Sequence, residues 1–143
     1  MTEHFGVYAV WRQEERIVLV RKARGPYDGL LDLPGGSPEP GESEVTTLRR
    51  ELREECGVEL VRVVDGAAFE LQVDQDSSGQ PIDFTHSGVI SRVEVAGDVV
   101  HGIVAEDVGG VVLATADDAR MFSPLVVEAL RRFPELDPRP GAG

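Results

Sequence analysis

The sequence has little of what would place this protein outside a cell or in a membrane. Cys56 is the only cysteine among 143 residues, so no disulfide can form within the chain. No apolar run is long enough to span a bilayer. The first residues, "MTEHFGVYAVW", lack the basic start and the cleavage site of a signal peptide. We therefore expect a cytoplasmic protein with no membrane partner.

Basic residues are also scarce. The chain has 14 Lys and Arg against 26 Asp and Glu, which gives a net charge of −12. Non-specific nucleic-acid binding requires clustered Lys and Arg, and the sequence has no such cluster, so we expect no nucleic-acid partner. An acidic protein handles phosphate groups when divalent cations bridge the two negative charges. The charge balance thus raises the question of a bound metal.

Length and composition predict one folded domain over residues 1–143, in which residues 134–143 form a loose tail. Alternating and apolar patterns indicate several strands and a second, C-terminal helical region over residues 117–133 that begins at Ser123 and Pro124. The predicted strands cover residues 5–11, 16–23, 30–33, 58–64, 67–73, 85–95 and 110–114. Strands mixed with two helices predict a mixed sheet on which the helices pack.

The clearest helix runs over residues 44–56. Ser43 is a suitable N-cap residue, and Gly57 stands where a left-handed residue ends a helix. Apolar residues at three- and four-residue steps predict one buried stripe, made of Val45, Leu48, Leu52 and Cys56.

Three glutamates share a neighbouring face of this helix. Glu51, Glu54 and Glu55 stand at positions i, i+3 and i+4, where like charges repel one another. We expect Glu54 and Glu55 to face solvent and a cation, and Arg50 and Arg53 to point away. Taken alone, the three carboxylates favour a solvated acidic face over a metal site, because charge runs usually face solvent.

The loop before the helix favours a cation site over a solvated acidic face. Gly35 and Gly36 let the backbone approach a ligand closely, and a glycine carbonyl exposed there is a hard oxygen donor. Hard oxygen clusters suit Mg²⁺ or Mn²⁺, and Mg²⁺ commonly completes its shell with water and substrate phosphates. Loop and helix together predict a divalent-metal site directed at a polyphosphate.

The same segment resembles the signature of a known family. Residues 36–58 are similar to the Nudix box, and "LPGG" and the Glu39–Glu42 stretch resemble the family as well. The positions that match the box are Gly36, Glu42, Arg50, Glu51, Leu52, Glu54, Glu55, Gly57 and Val58. The resemblance implies a Nudix-type α/β/α sandwich, with a mixed β-sheet flanked by helices.

The resemblance also implies roles for single residues. Glu51, Glu54, Glu55 and the Gly36 carbonyl become metal ligands for Mg²⁺, with Mn²⁺ as a substitute. Glu54 or Glu51 orients or deprotonates the attacking water. A further acid from a later loop acts as base in many relatives, and Glu106 stands first for that role here.

Other residues receive supporting roles. Asp107 is the second choice for the additional base. Arg50 is expected to pair with Glu42 and so hold the loop on the helix. Arg21 and Lys22 end a strand just before the loop, where alternation lets only one of the two face the cleft. That residue is a candidate for binding a substrate phosphate, and ordinary exposure on a strand is the alternative for both.

Histidine and aromatic residues carry weaker signals. We interpret His86 as structural, and Phe5, Tyr8, Tyr27 and Phe84 as packing residues rather than as a stack for a base.

The implied activity is hydrolysis of a P–O–P bridge in a small-molecule nucleotide, most simply a nucleoside triphosphate. ADP-ribose or a nucleotide sugar is the alternative substrate. A non-catalytic module that senses nucleotides is a third reading, against which the intact box argues. The sequence leaves a homodimer open.

Overall fold

Two sheets and two α-helices organise the chain in the computed structural model, which describes residues 1–105 and 107–139. The helices are α1 (Glu44–Cys56) and α2 (Pro124–Arg132), with short 3-10 helices at Ala116–Met121 and Pro134–Leu136. The strands are β1 (Thr2–Val10), β2 (Arg12–Gln13), β3 (Arg16–Lys22), β4 (Leu31–Asp32), β5 (Gly35–Gly36), β6 (Glu59–Gln75), β7 (Pro81–Ala96) and β8 (Val108–Ala114).

The first sheet has the strand order β5-β1-β7-β6 and is mixed. Strand β1 runs parallel to β7, whereas β5 and β6 pair antiparallel with their neighbours. In the second sheet β3 pairs antiparallel with β2, β4 and β8. The prediction of a mixed sheet flanked by helices is confirmed.

Each helix covers a separate apolar cluster. Leu48, Leu52 and Cys56 of α1 pack with the alternate residues Val7 and Ala9 of β1. The apolar face of α2 packs with the other set of β1 residues, Tyr8 and Val10, together with β3 and β7 residues. Because side chains alternate across a strand, β1 faces both clusters and carries the central sheet between the two helices.

Helix α1 begins and ends where the sequence predicts. The Ser43 hydroxyl accepts a hydrogen bond from the Thr46 N–H, and Gly57 is left-handed with φ of 70°. The predicted apolar stripe is wrong at one position, since Val45 is 44% exposed. Thr47 is buried instead, and its hydroxyl donates to the Ser43 carbonyl. Among the described residues, no helix combines the length and apolar character that crossing a membrane requires.

Two predicted segments are divided differently in the structure. The two strands expected over residues 58–64 and 67–73 form one continuous strand, β6. It pairs with the long strand β7 along its length, and register shifts interrupt the pairing. The helical region expected over residues 117–133 divides before α2, where the Ser123 N–H donates to the carbonyl of Leu31. Ser123 and Pro124 do begin α2, and the Ser123 hydroxyl accepts from the Val126 N–H.

The segment after α2 is packed rather than loose as far as residue 137. Leu136 is buried in the cluster beneath α2. The Arg12 guanidinium donates to the carbonyls of Leu136 and Asp137 at 3.2 and 3.1 Å. This corrects the expectation of a loose tail over residues 134–137, because one apolar side chain and one arginine attach the segment to the sheet. Residues 140–143 lie outside the described residues.

The parallel pairing of β1 with β7 depends on two glycines that face each other. Gly88 has a φ of +146° and stands opposite Gly6, and a Cβ atom on Gly88 would overlap the Gly6 carbonyl oxygen. Gly88→Ala is therefore expected to lower the free energy of unfolding by about 3 kcal/mol or more.

Gly66→Ala in the neighbouring strand β6 is the matched control. A Cβ atom there meets nothing closer than 3.8 Å, so a change within about 1 kcal/mol is expected. Urea denaturation of both variants makes the comparison, and equal stabilities of the two would contradict the close approach.

Candidate active site

A cleft of about 480 Å³ opens between α1, β5 and the ends of β3 and β4. Among the described residues, six carboxyl side chains line it, together with the cationic Lys22 and Arg50 and the imidazole of His4. The acidic residues of the cleft are Asp32, Glu39, Glu51, Glu54, Glu55 and Asp107. The cleft therefore has the acidic character that the box predicts.

Two glycines bring the loop against the sheet and the helix. Strand β5 pairs with β1, so that Gly36 stands opposite Val7 and Gly35 opposite Tyr8. A Cβ atom on Gly36 would lie 2.8 Å from Glu51 Oε1. Glycine at position 36 thus lets the Glu51 carboxylate approach the loop backbone closely.

Glu55 is buried, which corrects the expectation that it faces solvent. It is 6% exposed, and its Oε1 accepts a hydrogen bond from the Gly35 N–H at 2.8 Å. Burial raises the pKa of Glu55 to about 8, with a smaller upward contribution from the charge of Glu51. Glu55 lies on the side of α1 that meets β5, so the helix turns it toward the loop rather than toward water.

Arg50 lies among the carboxylates, which corrects the expectation that it points away from the acidic face. Its Nε and Nη2 donate to the two oxygens of Glu42 at 2.8 and 2.9 Å. These bonds lower the pKa of Glu42 to about 2. Nη1 donates to Glu51 at 2.8 Å and to Glu54 at 3.4 Å. The backbone of Arg50 lies off the acidic face, but its long side chain folds along the helix and places the guanidinium charge against that face.

Arg50 also reaches the loop itself, through Nη2 to the Ser37 carbonyl at 3.2 Å. One guanidinium thereby joins the loop, the first turns of α1 and the acidic face. Arg53, in contrast, pairs with Glu59 at 2.7 Å on the far side of the helix.

The oxygen donors of the cleft are of the type that binds a hard dication, although the carboxylate side chains do not converge on a common point. Glu51, Glu54 and Glu55 line the cleft together with Gly36, and all are oxygen donors. Within residues 1–105 and 107–139, no three His, Cys, Asp or Glu side chains form a metal-binding group. Arg50 holds Glu51 and Glu54, and the Gly35 N–H holds Glu55. The carboxylates are therefore gathered in one cleft, where Arg50 partly neutralises their charge.

The structure separates the two predicted phosphate-binding residues. Lys22 lines the cleft, whereas Arg21 is exposed and does not line it. The alternation of β3 produces this difference. Glu106 lies outside the described residues. Its neighbour Asp107 lines the cleft and forms an ion pair with Arg24.

Asp32 is a cleft residue that the sequence reasoning missed. It is 3% exposed, and its carboxylate accepts a hydrogen bond from the Ser123 hydroxyl at 2.7 Å. Burial raises the pKa of Asp32, which the bond from Ser123 partly opposes. An acid between leucines in the predicted strand "LLDL" is the signal that would have revealed it.

A second pocket of about 340 Å³ adjoins the cleft and has aromatic walls. Tyr27, Phe84 and His86 line it, and all are buried. The two ring nitrogens of His86 bond to the hydroxyls of Tyr8 and Tyr27 at 2.8 and 2.9 Å. These rings belong to the core, as the sequence predicts, and they also form the wall of a pocket. Phe5, in contrast, is 47% exposed.

Comparison with known families identifies the class of protein. The family model described as the NUDIX domain matches residues 2–135. The chain therefore belongs to the Nudix family, and the prediction of a Nudix hydrolase is confirmed at that level. Nudix hydrolases generally use divalent metals. A comparison with curated proteins gave no significant match.

Solved structures share the fold at low sequence identity. A MutT Nudix hydrolase from Burkholderia pseudomallei is 20% identical with a TM-score of 0.69, over 92% of this chain and 98% of that one. The E. coli ORF135 protein is 26% identical with a TM-score of 0.65, over 99% and 96%. The Nudix domain of Shewanella oneidensis NrtR, complexed with ADP ribose, is 19% identical with a TM-score of 0.68, over 94% and 88%.

Buried His86 predicts sensitivity of the fold to acid. Burial lowers the pKa of His86 to about 3, below its ordinary 6.5. The neutral form therefore stabilises the fold above pH 6.5, and this stability is lost as the pH falls from there toward 3. Between pH 7 and 4 the native protein should lose about 3 kcal/mol more of its free energy of unfolding than His86→Gln.

Denaturant unfolding across this pH range measures that difference. Exposed His101→Gln is the control and should follow the native protein at every pH. If His86→Gln shows the same acid sensitivity as the native protein, another group is responsible.

Proposed function

We propose that this protein is a divalent-metal-dependent pyrophosphohydrolase that cleaves the P–O–P bridge of a nucleoside triphosphate. The observation that carries the proposal is that Glu51, Glu54 and Glu55 of α1 meet the Gly35–Gly36 loop in one cleft, which Lys22 also lines. Such a cleft repels a polyphosphate unless cations intervene, because its carboxylates outnumber its cationic side chains. A bound dication would lower the pKa of its water and offset the phosphate charge.

The ligands we propose for Mg²⁺, or Mn²⁺ in its place, are Glu51, Glu54, Glu55 and the Gly36 carbonyl. Glu55 supports the assignment, because a buried carboxyl with a raised pKa gains most from a nearby dication that favours its ionised form. If Glu51 and Glu54 bound a cation in place of the Arg50 guanidinium, Arg50 would still have its two hydrogen bonds to Glu42.

The remaining residues take separate roles. Glu54 is the most exposed of the box carboxylates, with 53% of its side chain accessible, and we propose that it orients or deprotonates the attacking water with Glu51. We propose Glu106, which lies outside the described residues, as a further base. Lys22 is proposed to bind phosphate from the opposite wall. Arg50 and Glu42 hold the loop on α1.

ADP-ribose, or a nucleotide sugar, is the second substrate class. It is favoured by the similarity to the NrtR Nudix domain, whose structure is complexed with ADP ribose. A non-catalytic sensing module is the less favoured reading, because every defined position of the box is present. We further propose a cytoplasmic location, which the single buried thiol of Cys56 suits.

Product analysis across a nucleotide panel tests the function. With Mg²⁺ or Mn²⁺, the protein should convert a nucleoside triphosphate to the monophosphate and pyrophosphate. Conversion of ADP-ribose to AMP and ribose 5-phosphate would instead favour the second class. If the panel yields no product and calorimetry detects no metal binding, the proposal is overturned.

A charge-removing variant tests the role of the acidic face. Glu54→Gln should lower kcat by about 10²- to 10⁴-fold with little change in Tm, because this side chain is exposed and its loss leaves no buried charge. Glu44→Gln makes the same change in the exposed first turn of α1 and should keep near-native kcat. Similar kcat values for the two variants would count against Glu54.

A further inference from the structure

We infer that Thr47 is a positioning residue for the metal site, and that it acts by holding Glu42 and, through Glu42, the Arg50 guanidinium. The inference deepens the proposed function and rests on it, because it assumes that a dication binds the carboxylates of the cleft. Thr47 does not line the cleft and carries no charge. Its effect on the site therefore passes through another side chain.

Thr47 is a polar residue on the buried side of α1. It is 0% exposed, as is typical of a core residue, whereas the neighbouring Thr46 is exposed. A buried hydroxyl costs free energy unless it forms hydrogen bonds. The Thr47 hydroxyl has two acceptors, the Ser43 carbonyl at 3.0 Å and Glu42 Oε1 at 3.1 Å. Its single proton is shared between them.

The Glu42 carboxylate depends on this hydroxyl more than the Ser43 carbonyl does. The carbonyl also accepts a hydrogen bond from the Thr47 N–H at 3.0 Å, which the helix provides without any side chain. The carboxylate is charged, so a hydrogen bond to it is the stronger of the two. Removing the hydroxyl leaves the carbonyl bonded and takes one donor from Glu42.

Glu42 in turn anchors Arg50. Its Oε2 accepts from Arg50 Nε at 2.8 Å, and its Oε1 accepts from Nη2 at 2.9 Å. Oε1 also accepts from the Glu39 N–H at 2.8 Å. Thr47 therefore holds this oxygen from the helix while Glu39 holds it from the loop. The carboxylate is fixed with both oxygens toward the guanidinium.

Every N–H group of Arg50 has an acceptor. A guanidinium has five donors. Nε and Nη2 donate to Glu42, and Nη2 also donates to the Ser37 carbonyl at 3.2 Å. Nη1 donates to Glu51 at 2.8 Å and to Glu54 at 3.4 Å. Only the Nη1 bonds would compete with a dication for Glu51 and Glu54.

The Glu42 anchor therefore determines how easily a cation replaces Nη1. While Glu42 is fixed, the Arg50 charge stays paired after its Nη1 bonds are lost. If Glu42 were loose, Arg50 could follow Glu51 and Glu54, and its charge would oppose a cation at the same carboxylates. Thr47 weakens this competition by fixing the anchor.

Thr47→Val tests the inference, because valine has a similar shape and no hydroxyl. Mn²⁺ binding measured by calorimetry should weaken about 3- to 10-fold, less than is typical when a direct partner of a metal ligand is lost. At saturating Mg²⁺, kcat should stay within about twofold of the native value, because Thr47 does not line the cleft. Thr47→Ser keeps the hydroxyl and should bind Mn²⁺ as the native protein does.

Thr46→Val is the matched control, since it makes the same change at the exposed neighbouring position of α1. It should retain native Mn²⁺ affinity. Unchanged or tighter Mn²⁺ binding by Thr47→Val would overturn the inference. Equal weakening by Thr46→Val would overturn it as well.

A double-mutant cycle with Glu42→Gln shows whether Thr47 acts through Glu42. In the Glu42→Gln background, Thr47→Val should change the Mn²⁺ affinity by less than about twofold. Equal effects in both backgrounds would mean a general structural role and would contradict the inference. Thr47→Ala, which suits a helix well, replaces Thr47→Val in every measurement if the valine variant does not fold.

The Nε–H proton of Arg50 provides a measurement that needs neither metal nor turnover. It donates to Glu42, so its exchange with solvent, followed by NMR in metal-free protein, should be at least about threefold faster in Thr47→Val. Native-like exchange in this variant would contradict the inference.

These measurements also separate the inference from the proposed activity. Weaker Mn²⁺ binding by Thr47→Val, without hydrolysis of any nucleotide by the native protein, would reject the activity and keep the inference. Hydrolysis by the native protein, with native-like Mn²⁺ binding by Thr47→Val, would reject the inference alone. Absence of Mn²⁺ binding by the native protein would overturn both.

Discussion

The site depends on the interaction of Arg50 with the carboxylates around it. Glu42, Glu51 and Glu54 carry like charges within reach of one another, and a single guanidinium bonds to all three. Its planar, five-donor shape allows paired contacts to Glu42 while other N–H groups reach the helix face and the Ser37 carbonyl. A lysine at this position would supply the same charge without that geometry. The loop conformation and the acidic face are thus stabilised by the same side chain.

Buried polar groups extend this arrangement beneath the cleft. Glu55 accepts from the Gly35 N–H, Asp32 accepts from Ser123, and His86 lies between two tyrosines. Each group has a partner, which is what makes its burial tolerable. The same groups join distant parts of the chain, since Ser123 begins α2 and Gly35 pairs with β1. The cleft is consequently supported by both sheets and both helices.

Local signals explain why much of the fold was predictable. Helix α1 has a side-chain cap, a left-handed glycine and a periodic apolar face, all of which are short-range features. The limits of β6 and of the C-terminal segment were harder to predict. The local sequence around Gly66 predicts the end of a strand, yet Gly66 pairs with Ser91 and β6 continues beyond it. The local sequence around Leu136 predicts a loose tail, yet Leu136 is buried in the apolar cluster beneath α2. Long-range pairing and burial decided both features.

The sequence by itself determined the family, the acidic helix and the residue types of the site, because these follow from spacing along one segment. Only the tertiary structure decided where the side chains lie. It turned Glu55 inward, brought Arg50 onto the acidic face and placed Lys22 rather than Arg21 in the cleft. It also joined Asp32 of β4 with rings from β7 and the loop after β3. The reason is physical: burial and side-chain direction depend on elements that are remote in sequence.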